Sequence, residues 1–273
     1  MFKVDGHTHT QFCPHGCGDH VENMIERAIQ LGFEEYHITE HAPIPESFIK
    51  LFEPKEKALN DGSMPEGEVD RYIKEMLAVK EKYKNKIKIK VGFEVDYLPT
   101  EVAWSKNFLQ EYGKYCDAGA GLISVHYMKG LNDWRCVDYK PDDVINHLIP
   151  NYGSLEDYQK AYYDFVRESV LVDLGDYKPR KIAHLTVVDK FKKVVGVSTS
   201  DAVKEQIFEL LRLIKKNDYC LDYNHSGLFK PFYGETYPPL GIVQQARQLG
   251  IPLVYGSDAH GVEDVGRNEN NVC

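Results

Sequence analysis

The chain has 273 residues, 42% hydrophobic and 27% charged, a length and balance that suit one large α/β domain or two small ones. Acidic residues outnumber basic ones 42 to 33, for a formal charge of -9, and no basic tract interrupts them, which argues against a nucleic-acid partner. No apolar run reaches about eighteen residues and the first residues lack the apolar core of a signal peptide, so no membrane association is expected and the cytoplasm is the expected location.

The elements can be taken in order. A strand at 2–5 runs into His7-Thr8-His9. A helix follows with Val21, Met24, Ile25, Ala28 and Ile29 on one face, Asp19 as its N-cap and Gly32 as its stop. Strand two, 35–39, runs into Glu40-His41, and a Pro-, Glu- and Asp-rich loop occupies 42–67. The next helix carries Val69, Tyr72, Ile73, Met76, Leu77 and Tyr83; strand three, 87–95, holds Glu94 near its end. A short helix with Trp104, Phe108 and Leu109 leads to strand four, 118–125, which runs into His126. Beyond a loop at 127–151, a helix over 155–172 precedes strand five, 181–184, which ends on His184. Ser200 caps a helix with Val203, Ile207, Leu210, Leu211 and Ile214; strand six, 220–224, ends on Asn224. After a loop at 226–239, a helix over 240–249 stops at Gly250, and strand seven, 253–257, runs into Asp258-Ala259-His260. Alternating strands and helices imply a parallel sheet, open or closed.

The informative pattern is where the polar residues fall. Every expected strand delivers a ligand-type or polar residue at its C-terminal end, and in a parallel barrel those ends share one mouth. So many imidazoles and carboxylates in one place are best balanced by cations, and they outnumber the three or four ligands of a single zinc, which implies a multinuclear centre. His15, six residues beyond His9, is read as a further ligand. A zinc knot built on Cys13 and Cys17 is the weaker alternative, because no second cysteine pair stands at finger spacing. The six cysteines, Cys13, Cys17, Cys116, Cys136, Cys220 and Cys273, are read as reduced thiols.

These segments resemble the polymerase-and-histidinol-phosphatase (PHP) superfamily, and within it the monofunctional histidinol-phosphate phosphatases. The resemblance rests on Asp5-Gly6-His7-Thr8-His9-Thr10, Cys13-Pro14-His15-Gly16, Thr39-Glu40-His41-Ala42-Pro43, Gly92-Phe93-Glu94-Val95-Asp96-Tyr97, Ser124-Val125-His126-Tyr127, Ala183-His184, Ser226-Gly227-Leu228 and Gly256-Ser257-Asp258-Ala259-His260. It covers nearly the whole chain and implies a single domain over 1–273, a distorted seven-stranded (β/α)7 TIM-like barrel with three divalent metals (Zn, Mn or Fe). His7, His9, Glu94 and Asp258 would surround the first metal. Glu94 would bridge to a second held by His126 and His184, and His15, His41 and His260 would hold the third.

The implied activity is hydrolysis of L-histidinol phosphate, a small-molecule phosphate monoester, to L-histidinol and phosphate in histidine biosynthesis by a metal-bridged hydroxide. Asp258 or His260 would pass a proton to the leaving alkoxide. Asp189 stands where relatives are expected to carry a basic residue, so Arg267, Arg135 and Lys230 become the candidate phosphate binders. Asn224, Ser226, Asp96 and Glu40 are candidates to receive the amine and imidazole, and Trp134, Tyr233 and Tyr237 to stack on the ring. Three rival readings are another phosphoesterase of the superfamily acting on nucleotides or nucleic acid, an amidohydrolase, and a non-catalytic metal-binding module. An amidohydrolase usually needs a lysine where His126 stands.

Overall fold

The protein is described by a computed structural model covering residues 3–52, 61–196 and 199–269. The start of the first strand, part of the loop at 42–67 and Cys273 lie outside the described residues. Seven parallel strands make one sheet, in chain order: β1 (Val4–Asp5), β2 (Glu35–His41), β3 (Lys88–Asp96), β4 (Leu122–Ser124), β5 (Lys181–Ile182), β6 (Cys220–Asn224) and β7 (Leu253–Gly256). The main helices are α1 (Val21–Gln30), α2 (Val69–Tyr83), α3 (Val102–Tyr112), α4 (Leu155–Leu171), α5 (Asp201–Lys216) and α6 (Leu240–Gln248). The sheet curls into a nearly closed barrel whose edges meet at β1 and β7. Gly6 N donates to Tyr255 O at 2.7 Å, Asp258 N to His7 O at 2.8 Å and His9 N to Ala259 O at 2.8 Å.

Local chemistry sets the element boundaries. α1 and α6 end alike, with glycine in the left-handed region: Gly32 at φ 76° and Gly250 at φ 69°. In each, the next amide reaches back to the helix, Phe33 N to Ala28 O at 3.0 Å and Ile251 N to Ala246 O at 2.9 Å, which closes the turn into the following strand. Ser200 caps α5 as expected, its Oγ accepting from Val203 N at 3.3 Å. Asp19 does not cap α1; its carboxylate accepts from Val262 N at 2.9 Å instead, latching the loop after β1 to the segment after β7. β4 is shorter than expected, because 117–121 is a turn stapled to β3 by Asp117 Oδ2 accepting from Val91 N at 2.8 Å.

The apolar faces of the helices pack on the barrel in one core: Val21, Met24, Ile25 and Ala28 from α1, Tyr72 and Met76 from α2, and Ile207, Leu211 and Ile214 from α5. Each fully buried aliphatic among them contributes about 1.5–3 kcal/mol. The loop at 127–151 is more ordered than its composition suggests. It holds an antiparallel hairpin, Tyr127–Lys129 against Trp134–Cys136, whose Tyr127 and Trp134 pack with Phe48 and Phe52 in a second cluster over the barrel. Inside the barrel, Lys181 of β5 is buried and donates to Gly6 O at 2.5 Å; β1 and β5 are not neighbours in the sheet, so this bond crosses the interior. Among the described residues no helix is long and apolar enough to cross a membrane.

Candidate metal centre and active-site cavity

Parallel pairing places the polar strand ends in register. His41 of β2 stands opposite Glu94 of β3, and Asp96 opposite Ser124 of β4. Glu94 lies at the centre of the group, its carboxylate 3.0 Å from His7 Nε2, 2.8 Å from His184 Nε2, 3.5 Å from His9 Nε2 and 3.7 Å from His126 Nε2. Asp258 Oδ1 lies 3.2 Å from His9 Nε2 and 3.6 Å from His7 Nε2. Two of these residues sit on strained backbone, His184 at φ 22° and Asp258 at φ 52°. Such conformations cost on the order of 1–3 kcal/mol and persist where surrounding bonds over-determine them. Asp222 supplies such a bond, its Oδ2 accepting from His184 N at 3.1 Å.

The histidines share a polarity. His7 Nδ1 is held by Asp222 Oδ2 at 2.8 Å, His9 Nδ1 by Glu40 Oε1 at 3.2 Å, and His126 Nδ1 by Asp96 Oδ1 at 2.9 Å. Backbone carbonyls do the same for His15, through Asp61 O at 2.7 Å, and for His260, through Asp258 O at 3.0 Å. These ties turn the Nε2 atoms into a common space, which His184 enters without one: His7 and His9 Nε2 lie 3.2 Å apart, His15 and His260 2.9 Å, and His126 and His184 3.1 Å. Fixing Nδ1–H on a carboxylate or carbonyl is how proteins orient an imidazole whose other nitrogen binds a metal.

The donor set fits divalent cations on a second ground. His41 is buried, yet neither of its ring nitrogens has a hydrogen-bond partner, and His184 Nδ1 is likewise unpartnered. A buried polar atom left unpaired costs about 1–3 kcal/mol, so such groups need a ligand to satisfy them. Burial, with the neighbouring His9, holds His41 and His260 well below the ordinary imidazole value, in the neutral form that coordinates. His9 and His126 are also depressed by burial, but nearby carboxylates outweigh it and lift them to about 9 and about 10. Without cations the carboxylates are compensated only by charged imidazoles. Among the described residues, ligand atoms converge within 4.8 Å in three sets: His7, His9 and Glu94; His41, Glu94 and His126; and His9, Cys13, His41 and His260.

The PHP domain family model matches residues 5–226. This chain belongs to the PHP family. As a PHP protein it is 38% identical to the histidinol-phosphatase of Bacillus subtilis, over 97% of this chain and 96% of that protein. Its fold superposes with TM-score 0.96 on a Listeria monocytogenes protein provisionally assigned as the histidinol phosphatase HisK, at 43% identity and covering 99% of this chain and 100% of that one. A more distant structure is the Lactococcus lactis histidinol phosphate phosphatase with zinc, L-histidinol and phosphate bound; it shares the fold at TM-score 0.70 and 20% identity, covering 98% of this chain and 92% of that one. The family match stops short of β7, yet the closed barrel carries Asp258 and His260 of this PHP domain into the same cluster as His7 and His9.

A cavity of about 350 Å³ opens above the cluster, lined by His15, His41, Glu94, His126, His184, Asp258 and His260. His7 and His9 lie beneath it, fully buried. Of the expected substrate contacts, Ser226, Lys230 and Arg267 line the cavity. Ser226 Oγ donates to Asp258 Oδ2 at 3.0 Å, and the Arg267 guanidinium donates to Ser257 O and Asp258 O, each at 2.7 Å. Two others are not brought there. Arg135 is buried in the hairpin, bonded to Asp133 at 2.9 Å and facing Asp143 at 3.4 Å. Asn224 works from below, donating to Asp222 Oδ2 at 3.1 Å. Asp96 and Glu40 stand behind His126 and His9, Trp134 is packed on Phe48, and Tyr233 stacks on Tyr237, which alone of these aromatics reaches the cavity.

The cavity also holds residues that the sequence reading passed over: Asp61, Asp138, Tyr139, Lys190 and Asp264. Lys190 donates to Asp138 Oδ2 at 2.9 Å. It supplies the basic group sought at this turn, one position later than expected, while Asp189 turns the other way and accepts from Gln159 Nε2 at 2.7 Å. Burial raises Asp189 from 3.8 to about 6. A carboxyl whose folded value exceeds its unfolded one binds more protons when folded, so stability falls as pH rises between about 4 and about 6 and stays lowered above. Asp189→Asn keeps the acceptor and removes the charge. It is expected to raise stability at pH 7.5 by up to about 3 kcal/mol, with the gain vanishing below about pH 4. Urea unfolding of both proteins across that range checks this; an equal gain at every pH would contradict it.

Proposed function

We propose that this chain is a metal-dependent histidinol-phosphatase, hydrolysing L-histidinol phosphate to L-histidinol and inorganic phosphate. The observation that carries the reading is the convergence of histidine Nε2 atoms around Glu94 and Asp258, with the Nδ1 atoms of His7, His9, His15, His126 and His260 tied back, on the floor of a cavity that also holds Lys190, Lys230 and Arg267. The similarity to the B. subtilis enzyme over nearly the whole of both chains supports the substrate. We take the whole chain, 1–273, as one such domain, working in the cytoplasm.

His7, His9, Glu94 and Asp258 would hold one divalent cation, Glu94, His126 and His184 a second, and His15, His41 and His260 a third. Divalent cations bound there lower the pKa of a water towards neutrality and offset charge on the phosphoryl oxygens. The chain supplies the rest. Lys230, drawn below the ordinary lysine value by burial, gains charge stabilisation from an anionic phosphoryl group, and Lys190 and Arg267 flank the same space. Asp258 stands at the rim, steadied by Ser226, and would take a proton from the attacking water and hand it to the leaving alkoxide; His260, turned towards His15, serves the ligand set. The acidic groups Asp61, Asp138 and Asp264 and the phenol rings of Tyr127, Tyr139 and Tyr237 line the cavity where a cationic amine and an imidazole need partners.

Elemental analysis beside phosphate release from a panel of esters tests the reading. We expect bound divalent metal and a kcat/KM for L-histidinol phosphate well above that for nucleotides. Cleavage of DNA ends with none of L-histidinol phosphate would reject it.

A further inference from the structure

We propose that the Sγ of Cys13 is a fourth ligand to the cation held by His15, His41 and His260, making that site one of mixed nitrogen and sulfur donors. The inference rests on the metal-centre reading above and adds to it a residue with no role there.

The geometry comes first. Cys13 is buried in the turn after β1, its amide donating to Thr10 O and its carbonyl accepting from Gly16 N, both at 3.1 Å. Its Sγ and one nitrogen each from His9, His41 and His260 lie within 4.8 Å of one another. Ligands at zinc distances from a common centre lie about 3.3–3.8 Å apart, so the set closes on an ion with side-chain shifts of about 1 Å. His15 adjoins the set rather than belonging to it, its Nε2 2.9 Å from His260 Nε2 and its Nδ1 3.5 Å from Cys13 Sγ. Independently of the sulfur, His41 points to a ligand at this place: 7% exposed, it has no hydrogen-bond partner at either ring nitrogen.

Charge supplies the reason. The other two sites share Glu94, and the first has Asp258 as well, whereas His15, His41 and His260 offer only neutral imidazoles. A dication in a buried, all-imidazole site keeps its full charge, which a low-dielectric interior penalises. Glu94 stands 3.4 Å from His41 Nδ1 but is shared by the other two sites, and among the residues that converge with His41 and His260 Cys13 is the one that can bring a negative charge of its own: on ligation the thiol proton leaves to solvent and the thiolate binds. Thiolate is also a soft donor, and it biases the site towards zinc or iron over manganese.

X-ray absorption at the zinc edge tests this on the zinc-loaded protein. The expected result is a sulfur shell at about 2.3 Å beside nitrogen and oxygen at about 2.0–2.1 Å. Cys13→Ser should lose that shell and hold less zinc relative to manganese when both are offered. Cys17→Ser and Cys136→Ser, which alter an exposed thiol and a thiol that lines the cavity, should keep it. The cobalt-loaded wild type gives a readout independent of how any variant folds: thiolate-to-metal charge transfer in the near ultraviolet. Three zinc ions per chain with a purely nitrogen and oxygen shell, or a sulfur shell that survives Cys13→Ser, overturns the role of Cys13 and leaves the metal centre standing. A wild type that binds no zinc sinks the metal-centre reading and this inference with it.

Discussion

Glu94→Gln should lower kcat/KM for L-histidinol phosphate by about a thousandfold or more, a loss of about 4 kcal/mol in transition-state stabilisation. The substitution changes almost no volume but acts on the group with the most partners in the cluster. The Glu94 carboxylate faces His7, His9, His126 and His184 within 3.7 Å, and a glutamine turns an NH2 towards one of those pairs in place of a negative oxygen. If Glu94 bridges two cations, metal content falls together with turnover, while the far-ultraviolet circular dichroism is unchanged because β3 stays paired on both edges. Measuring rate and metal on the same preparation separates this from simple unfolding. Wild-type metal content and near-wild-type kcat/KM would remove Glu94 from the centre.

Stripping the protein with a chelator should lower its melting temperature by about 8–16 °C or more and abolish turnover, with both restored by zinc or manganese. A single site occupied at a thousand times its Kd adds about 4 kcal/mol to stability. For a chain of this size each kcal/mol moves the midpoint by about 2–4 °C, so one site accounts for the stated shift and further sites enlarge it. The stripped form has a structural reason to be weak: six histidine rings crowd with centroids 4.1–6.0 Å apart in the pairs His9–His260, His9–His41, His126–His184, His7–His9 and His41–His260, over a buried carboxylate. Scanning calorimetry with and without chelator decides it. Identical traces, with no metal found by elemental analysis, would mean that the imidazoles satisfy one another.

The seven strands and the convergence of their polar ends were legible because two simple signals coincide. Apolar strand runs give the element, and the first polar residues beyond them give the rim. The residues behind the rim were harder to read. Asp222 sits inside β6, where Cys220, Leu221 and Tyr223 make the segment look wholly apolar, yet it orients His7, anchors His184 N and receives Asn224. A signal was present: Asp222 and Asn224 alternate with period two, as do Glu94 and Asp96, so both pairs share the strand face that looks into the barrel. Arg135 misled for the opposite reason. A basic residue in a long loop near the site reads as a phosphate binder until the hairpin is known, because nothing local announces that Asp133 and Asp143 will enclose it. Lys190 was passed over through a one-residue offset in a single-turn helix, where each step rotates the side chain by about a third of a turn.

The seam between β1 and β7 has a consequence for biogenesis. His7 and His9 are synthesised some 250 residues before the Asp258 and His260 that share their cluster, about 10–50 s at ordinary elongation rates. Until the final strand slots in beside the first, the cluster is missing one side. A nascent or prematurely released chain is therefore expected to lack the full set of ligand-type side chains, and on the proposed assignment hydrolysis would begin only once synthesis has passed residue 260.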